Sequence, residues 1–107
     1  MAKFLVKANY SQEGLKGVIK GGGSARRAAL TQAAQSVGAK LEAFYFAFGE
    51  TDVYLIIDAP DNVSMTALTL TAGASGSVSE VETVVLLTPE EVDAATKKTV
   101  AYRAPGQ

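Results

Sequence analysis

The stretch from Lys40 to Asp58 constrains the fold more than any other part of this sequence. Lys40 to Phe48 alternates, with Leu41, Ala43, Tyr45 and Ala47 on one side and Glu42, Phe44, Phe46 and Phe48 on the other, a period of two that predicts a strand. Gly49-Glu50-Thr51 is a short connector, and Asp52-Val53-Tyr54-Leu55-Ile56-Ile57-Asp58 follows as a β-branched, aromatic run framed by acids. A connector this short predicts an antiparallel hairpin. An isolated hairpin is at best marginal in water, so the rest of the chain must supply further strands and a cover.

The flanking segments do so. Phe4, Val6 and Ala8 alternate with Lys3, Leu5, Lys7 and Asn9 and predict a first strand. Ser11 is a candidate N-cap for a short helix through Leu15, Val18 and Ile19, which the Gly21-Gly22-Gly23 run should interrupt. Ser24 is placed to cap a second helix whose Ala29, Leu30, Ala33, Ala34 and Val37 form a narrow apolar stripe ending at Gly38. After Ala59-Pro60, Asp61 or Asn62 should start a helix through Met65, Leu68 and Leu70. Ser77 to Leu87 reads as the last strand. Thr88-Pro89-Glu90-Glu91 matches a capping box with Pro at the first helical position.

The order strand, helix, strand, strand, helix, strand predicts an α+β, ferredoxin-like βαββαβ antiparallel sheet with its helices on one face and an extra short C-terminal helix. The whole chain, 1–107, is expected to be one domain, with a core of about 3–88 and a C-terminal helix and tail over 89–107. Alternation assigns Lys3, Leu5, Lys7, Glu42, Phe44, Phe46, Phe48, Tyr54, Ile56, Glu80, Glu82, Val84 and Leu86 to the uncovered face, and Tyr45 to the helix side. Three phenylalanines make that face too apolar to stay wet, so self-association as a homodimer or higher homo-oligomer is expected. Lys3 and Lys7 are expected to pair across strands with Glu42, Glu80 and Glu82.

Several chemistries are excluded by what the chain lacks. Cysteine and histidine are both absent. Disulfides, thiolate nucleophiles and the commonest metal ligand are therefore ruled out, along with the usual near-neutral acid–base group. A formal net charge of -1 predicts no nucleic-acid partner and no attraction to an anionic membrane. No apolar run is long enough to span a bilayer, and Met1 to Lys7 reads as a strand instead of a signal peptide, so cytoplasmic residence is the expectation.

Two clusters are candidate sites. Gly49 and Asp52 bracket the hairpin turn; Asp52 could simply satisfy backbone amides of its turn, or Glu50 and Asp52 could act as a carboxylate pair at a cavity mouth. With Phe46, Phe48 and Tyr54 they form the candidate ligand-binding set. Ser24, Arg26 and Arg27 behind the glycine run could hold an anion, although a flexible break between helices explains the glycines equally well. No metal site and no cofactor are expected.

The segment Phe44 to Asp61, with Gly38 before it and Ala72-Gly73-Ala74-Ser75-Gly76-Ser77-Val78 after it, resembles the GYD-domain family, with similarity running roughly from Phe4 to Leu87. Where that family's turn has Gly-x-Tyr-Asp, this chain has Gly49-Glu50-Thr51-Asp52. The resemblance implies the dimeric α/β-barrel form of the ferredoxin-like fold. It leaves three functions open: a small-molecule binding or sensing module, a cofactor-free monooxygenase or isomerase of the kind found on related barrels, and an assembly protein that binds nothing.

Overall fold

Eight elements follow one another in the computed structural model, which describes residues 1–107. They are β1 (Ala2–Tyr10), α1 (Gln12–Gly21), α2 (Gly23–Ser36), β2 (Lys40–Phe46), β3 (Val53–Ala59), α3 (Asn62–Ala74), β4 (Val78–Leu86) and α4 (Pro89–Thr96). The strands form one sheet in the order β2-β3-β1-β4, and every neighbouring pair is antiparallel. This is the expected ferredoxin-like arrangement.

Three of the four helices start where a side chain satisfies a free amide of the first turn. The Ser11 hydroxyl accepts from the Gly14 amide at 3.1 Å, and an Asp61 carboxylate oxygen accepts from the Ser64 amide at 2.7 Å. Thr88 and Glu91 close a complete capping box around Pro89. The expected cap at Ser24 is not used. Gly22, at φ 85, breaks the helix instead and serves as N-cap of α2, leaving Ser24 inside the first turn. The left-handed conformation needed there is costly for any residue with a Cβ, which is why the break falls within the glycine run. Gly38 ends α2 as expected: its amide bonds to the Gln35 carbonyl and that of Ala39 to Ala34, the paired bonds of a Schellman cap.

The main departure from strict alternation is in β2. Leu41 pairs with Ile57 but Ala43 pairs with Ile56, so Glu42 is an extra residue at a β-bulge. Beyond the bulge every side chain changes face. Phe44 comes opposite Leu55 and Phe46 opposite Val53, on the helix-covered side, while Tyr45 pairs with Tyr54 on the open side. The expectation that Phe44 and Phe46 line the open face and that Tyr45 faces the helices is therefore corrected. Phe48, beyond the strand, is fully exposed.

The helix side carries the core: Phe4, Val6, Ala8 and Tyr10 from β1, Val53, Leu55, Ile57 and Ala59 from β3, with Ala34 of α2 and Met65 of α3. On the open side, Lys3 bonds Glu42 and lies 3.5 Å from Asp58, and Lys7 lies 3.7 Å from Glu82. Glu80, also expected to pair, sits opposite Asn9 and makes no ion pair. Asp58, which alternation had left without a role, joins the Lys3 pair instead. No helix is long and apolar enough to cross a membrane.

Candidate functional site

The interior under the helices is incompletely filled. Only 12 of 107 residues are buried, and none of the larger side chains is wholly enclosed. Between the covered face of the sheet and helices α2 and α3 lies a cavity of about 270 Å³. Its floor is the row Val6, Ala8 and Tyr10 of β1 with Val53, Leu55 and Ile57 of β3. Ala29, Leu30, Ala33 and Ala34 of α2 form one wall and Met65, Leu68 and Ala72 of α3 the other.

These residues meet because three periodicities coincide. Alternate residues of β1 and β3 point to the same face, and i, i+3, i+4 positions of α2 and α3 form stripes above them. The α2 stripe is mostly alanine, so it covers the sheet without filling the space between, whereas protein interiors normally pack to the density of organic crystals. Sixteen of the 21 lining residues are hydrophobic. The bulge at Glu42 turns Phe44 inward as a further wall, and Phe44 meets Phe46 edge-on at 5.2 Å.

At one end the cavity meets a second space of about 280 Å³ between α1 and α2, lined by Gly14, Gly17, Gly21 and Gly22 among others. Tyr10, Arg26, Ala29 and Ser77 border both. The Arg26 guanidinium sits 5.9 Å above the Tyr10 ring, and Phe46 flanks the same ring at 6.4 Å. Arg26 makes no ion pair with any acidic side chain.

The five residues singled out around the hairpin do not converge. Phe48 and Glu50 stand exposed in the loop, and Tyr54 lies on the opposite face of the sheet from the cavity. Phe46 is on the covered face but half exposed beside Tyr10. Asp52 is committed to the backbone: one carboxylate oxygen accepts from the Tyr10 amide at 3.0 Å, and its own amide donates to the Asn9 side-chain oxygen at 2.8 Å. Its carboxylate fastens the hairpin to the end of β1, while its carbonyl closes the turn by accepting from the Ala47 amide at 2.8 Å. Of the anion set, only Arg26 reaches a cavity wall together with its neighbours in α2; Ser24 and Arg27 are exposed. Thr51 is half-buried. No three acidic residues cluster as a metal site would require.

Sequence reasoning missed Tyr10, Phe44 and Met65 as cavity residues. Tyr10 continues the Phe4, Val6, Ala8 alternation as the last residue of β1. Phe44 was hidden by the bulge, which no residue type announces.

Fold and cavity together define an α+β, ferredoxin-like domain with an apolar space between sheet and helices. A family model of the GYD domain matches residues 4–96, and the chain belongs to the GYD-domain family. Among solved structures, the crystal structure of MtbAldR is similar, with a TM-score of 0.57 and 15% identity over 81% of this chain and 52% of that one. This chain thus spans about half of MtbAldR, and a likeness at that identity shows the fold alone. No curated protein matches the sequence.

Proposed function

We propose that this protein is an oligomeric small-molecule binding module whose ligand occupies the cavity between the sheet and helices α2 and α3. The cavity itself carries this reading. Its volume of about 270 Å³ lies near the lower end of the ~300–1000 Å³ usual for ligand pockets, and its lining is chiefly apolar with a few polar groups at one end. An apolar guest would restore the dispersion contacts that the alanine-rich face of α2 forgoes.

Self-association belongs to the same reading. The chain exposes 7549 Å², against about 5,700 Å² for a compact monomer of its mass. The excess is larger than the ~800 Å² that each partner gives up in a standard interface. Leu5, Ile56, Val84 and Leu86 line the middle of the open face, and Tyr45 and Tyr54 its edge. Asp58 adds a buried carboxylate oxygen with no hydrogen-bond partner in the chain. A second copy covering this face would remove apolar surface from water and could supply the missing donor.

Native mass spectrometry of freshly purified protein, with a denatured sample in parallel, tests both parts. The expected result is a multimer carrying extra mass that is released on denaturation. A bare monomer at every protein concentration would overturn the proposal.

A further inference from the structure

Resting on the cavity reading above, we infer that the ligand class is a small apolar monoanion, with a hydrocarbon or aromatic body in the cavity and a carboxylate or similar group meeting Arg26. Arg26 is the only charged residue among those lining the cavity. It is partly buried, and no acidic side chain neutralises it. Stacking over Tyr10 at 5.9 Å holds the guanidinium plane at the cavity end, but a ring face accepts none of its five N–H donors in the way an oxygen does. A planar anion accepts two of them side by side.

Three of the five other polar side chains of the lining are already engaged, which leaves the Tyr10 and Thr71 hydroxyls free. The Ser75 hydroxyl donates to the Ala72 carbonyl at 2.7 Å and lies 2.6 Å from the Ser77 hydroxyl. The Thr69 hydroxyl bonds the Met65 carbonyl at 3.1 Å. A neutral polar ligand therefore finds two free hydroxyls, whereas an anion finds an unpaired cation as well. Apolar walls leading to one unpaired guanidinium select for a molecule with one charged end. They do not suit a cation or a sugar.

The test compares octanoate with octanol, the same chain with and without charge, by isothermal titration calorimetry at neutral pH. Wild type, Arg26→Gln, Arg26→Lys and the exposed-neighbour control Arg27→Gln are each checked for folding by circular dichroism. Octanoate should bind wild type at least about tenfold tighter than octanol, a difference of ~1.4 kcal/mol. Arg26→Gln should erase that preference, Arg26→Lys should keep part of it, and Arg27→Gln should leave it intact. Equal binding of the two probes, or an octanoate affinity indifferent to Arg26→Gln, would overturn the inference while leaving the cavity reading standing. Binding of neither probe would overturn the cavity reading and the inference with it.

Discussion

Gly14 is where a single side chain would do most harm. It is buried at the start of α1, and a Cβ there would collide with the Ser77 carbonyl, the same oxygen that accepts from the Ser11 amide at 3.0 Å. Gly14→Ala should cost about 1–3 kcal/mol in urea unfolding, the usual range for overpacking. Gly17, one turn on, has nothing within 4 Å of its Cβ position, so Gly17→Ala should stabilise the protein by about 0.5–1 kcal/mol through helix propensity. Equal effects at the two sites would contradict the close approach. At Asp61 the prediction concerns pH. The Ser64 amide and hydroxyl bonded to its carboxylate hold its pKa below the ordinary value. A depressed folded-state pKa means stability that is fully present above the unfolded value and lost as pH falls through the folded one. Asp61→Ala should therefore lower the melting temperature at neutral pH and flatten its acid-side decline; an unchanged acid limb would count against the cap.

Among the elements, β2 shows how much of the fold was legible and why the rest was not. Strand order, hairpin, caps at Ser11, Asp61 and Thr88, and the α2 stripe all follow from local patterns that the structure keeps. A bulge has no such pattern: Glu42 is ordinary in composition, yet it reverses the faces of Phe44, Tyr45 and Phe46. Of the five hairpin residues, Phe46 changes face for the same reason, because its assignment rests on an alternation that stops at residue 42. Truncation separates the two arrangements. Phe44→Ala should cost about 3 kcal/mol, the low end for a phenylalanine packed against a core, while Phe48→Ala should change stability by no more than about 0.5 kcal/mol. Deleting Glu42 tests the bulge directly. With the bulge, the deletion leaves Leu41, Phe44 and Phe46 together on the helix side and the protein still folds. In a strictly alternating strand it would invert half the strand and abolish the native circular dichroism spectrum.

For the whole molecule, the radius of gyration is 17.0 Å, against about 13 Å for a compact chain of this length. Residues 89–107, including α4, are exposed throughout, and an eight-residue helix does not hold itself together in water without packing. Together with the open face, this places much of the unburied apolar surface where a second copy can cover it. The proposed assembly predicts a melting temperature that rises with protein concentration. Ile56→Asp at the centre of the open face should lower the sedimentation coefficient to that of a monomer.

The most direct test of the central claim is a methyl-resolved ¹³C NMR titration with octanol and octanoate. The account predicts shifts concentrated in Leu55, Ile57, Met65 and Leu68, which line the cavity, with Leu5, Ile56, Val84 and Leu86 of the open face little changed. Shifts confined to the open face, or none at saturating probe, would contradict it.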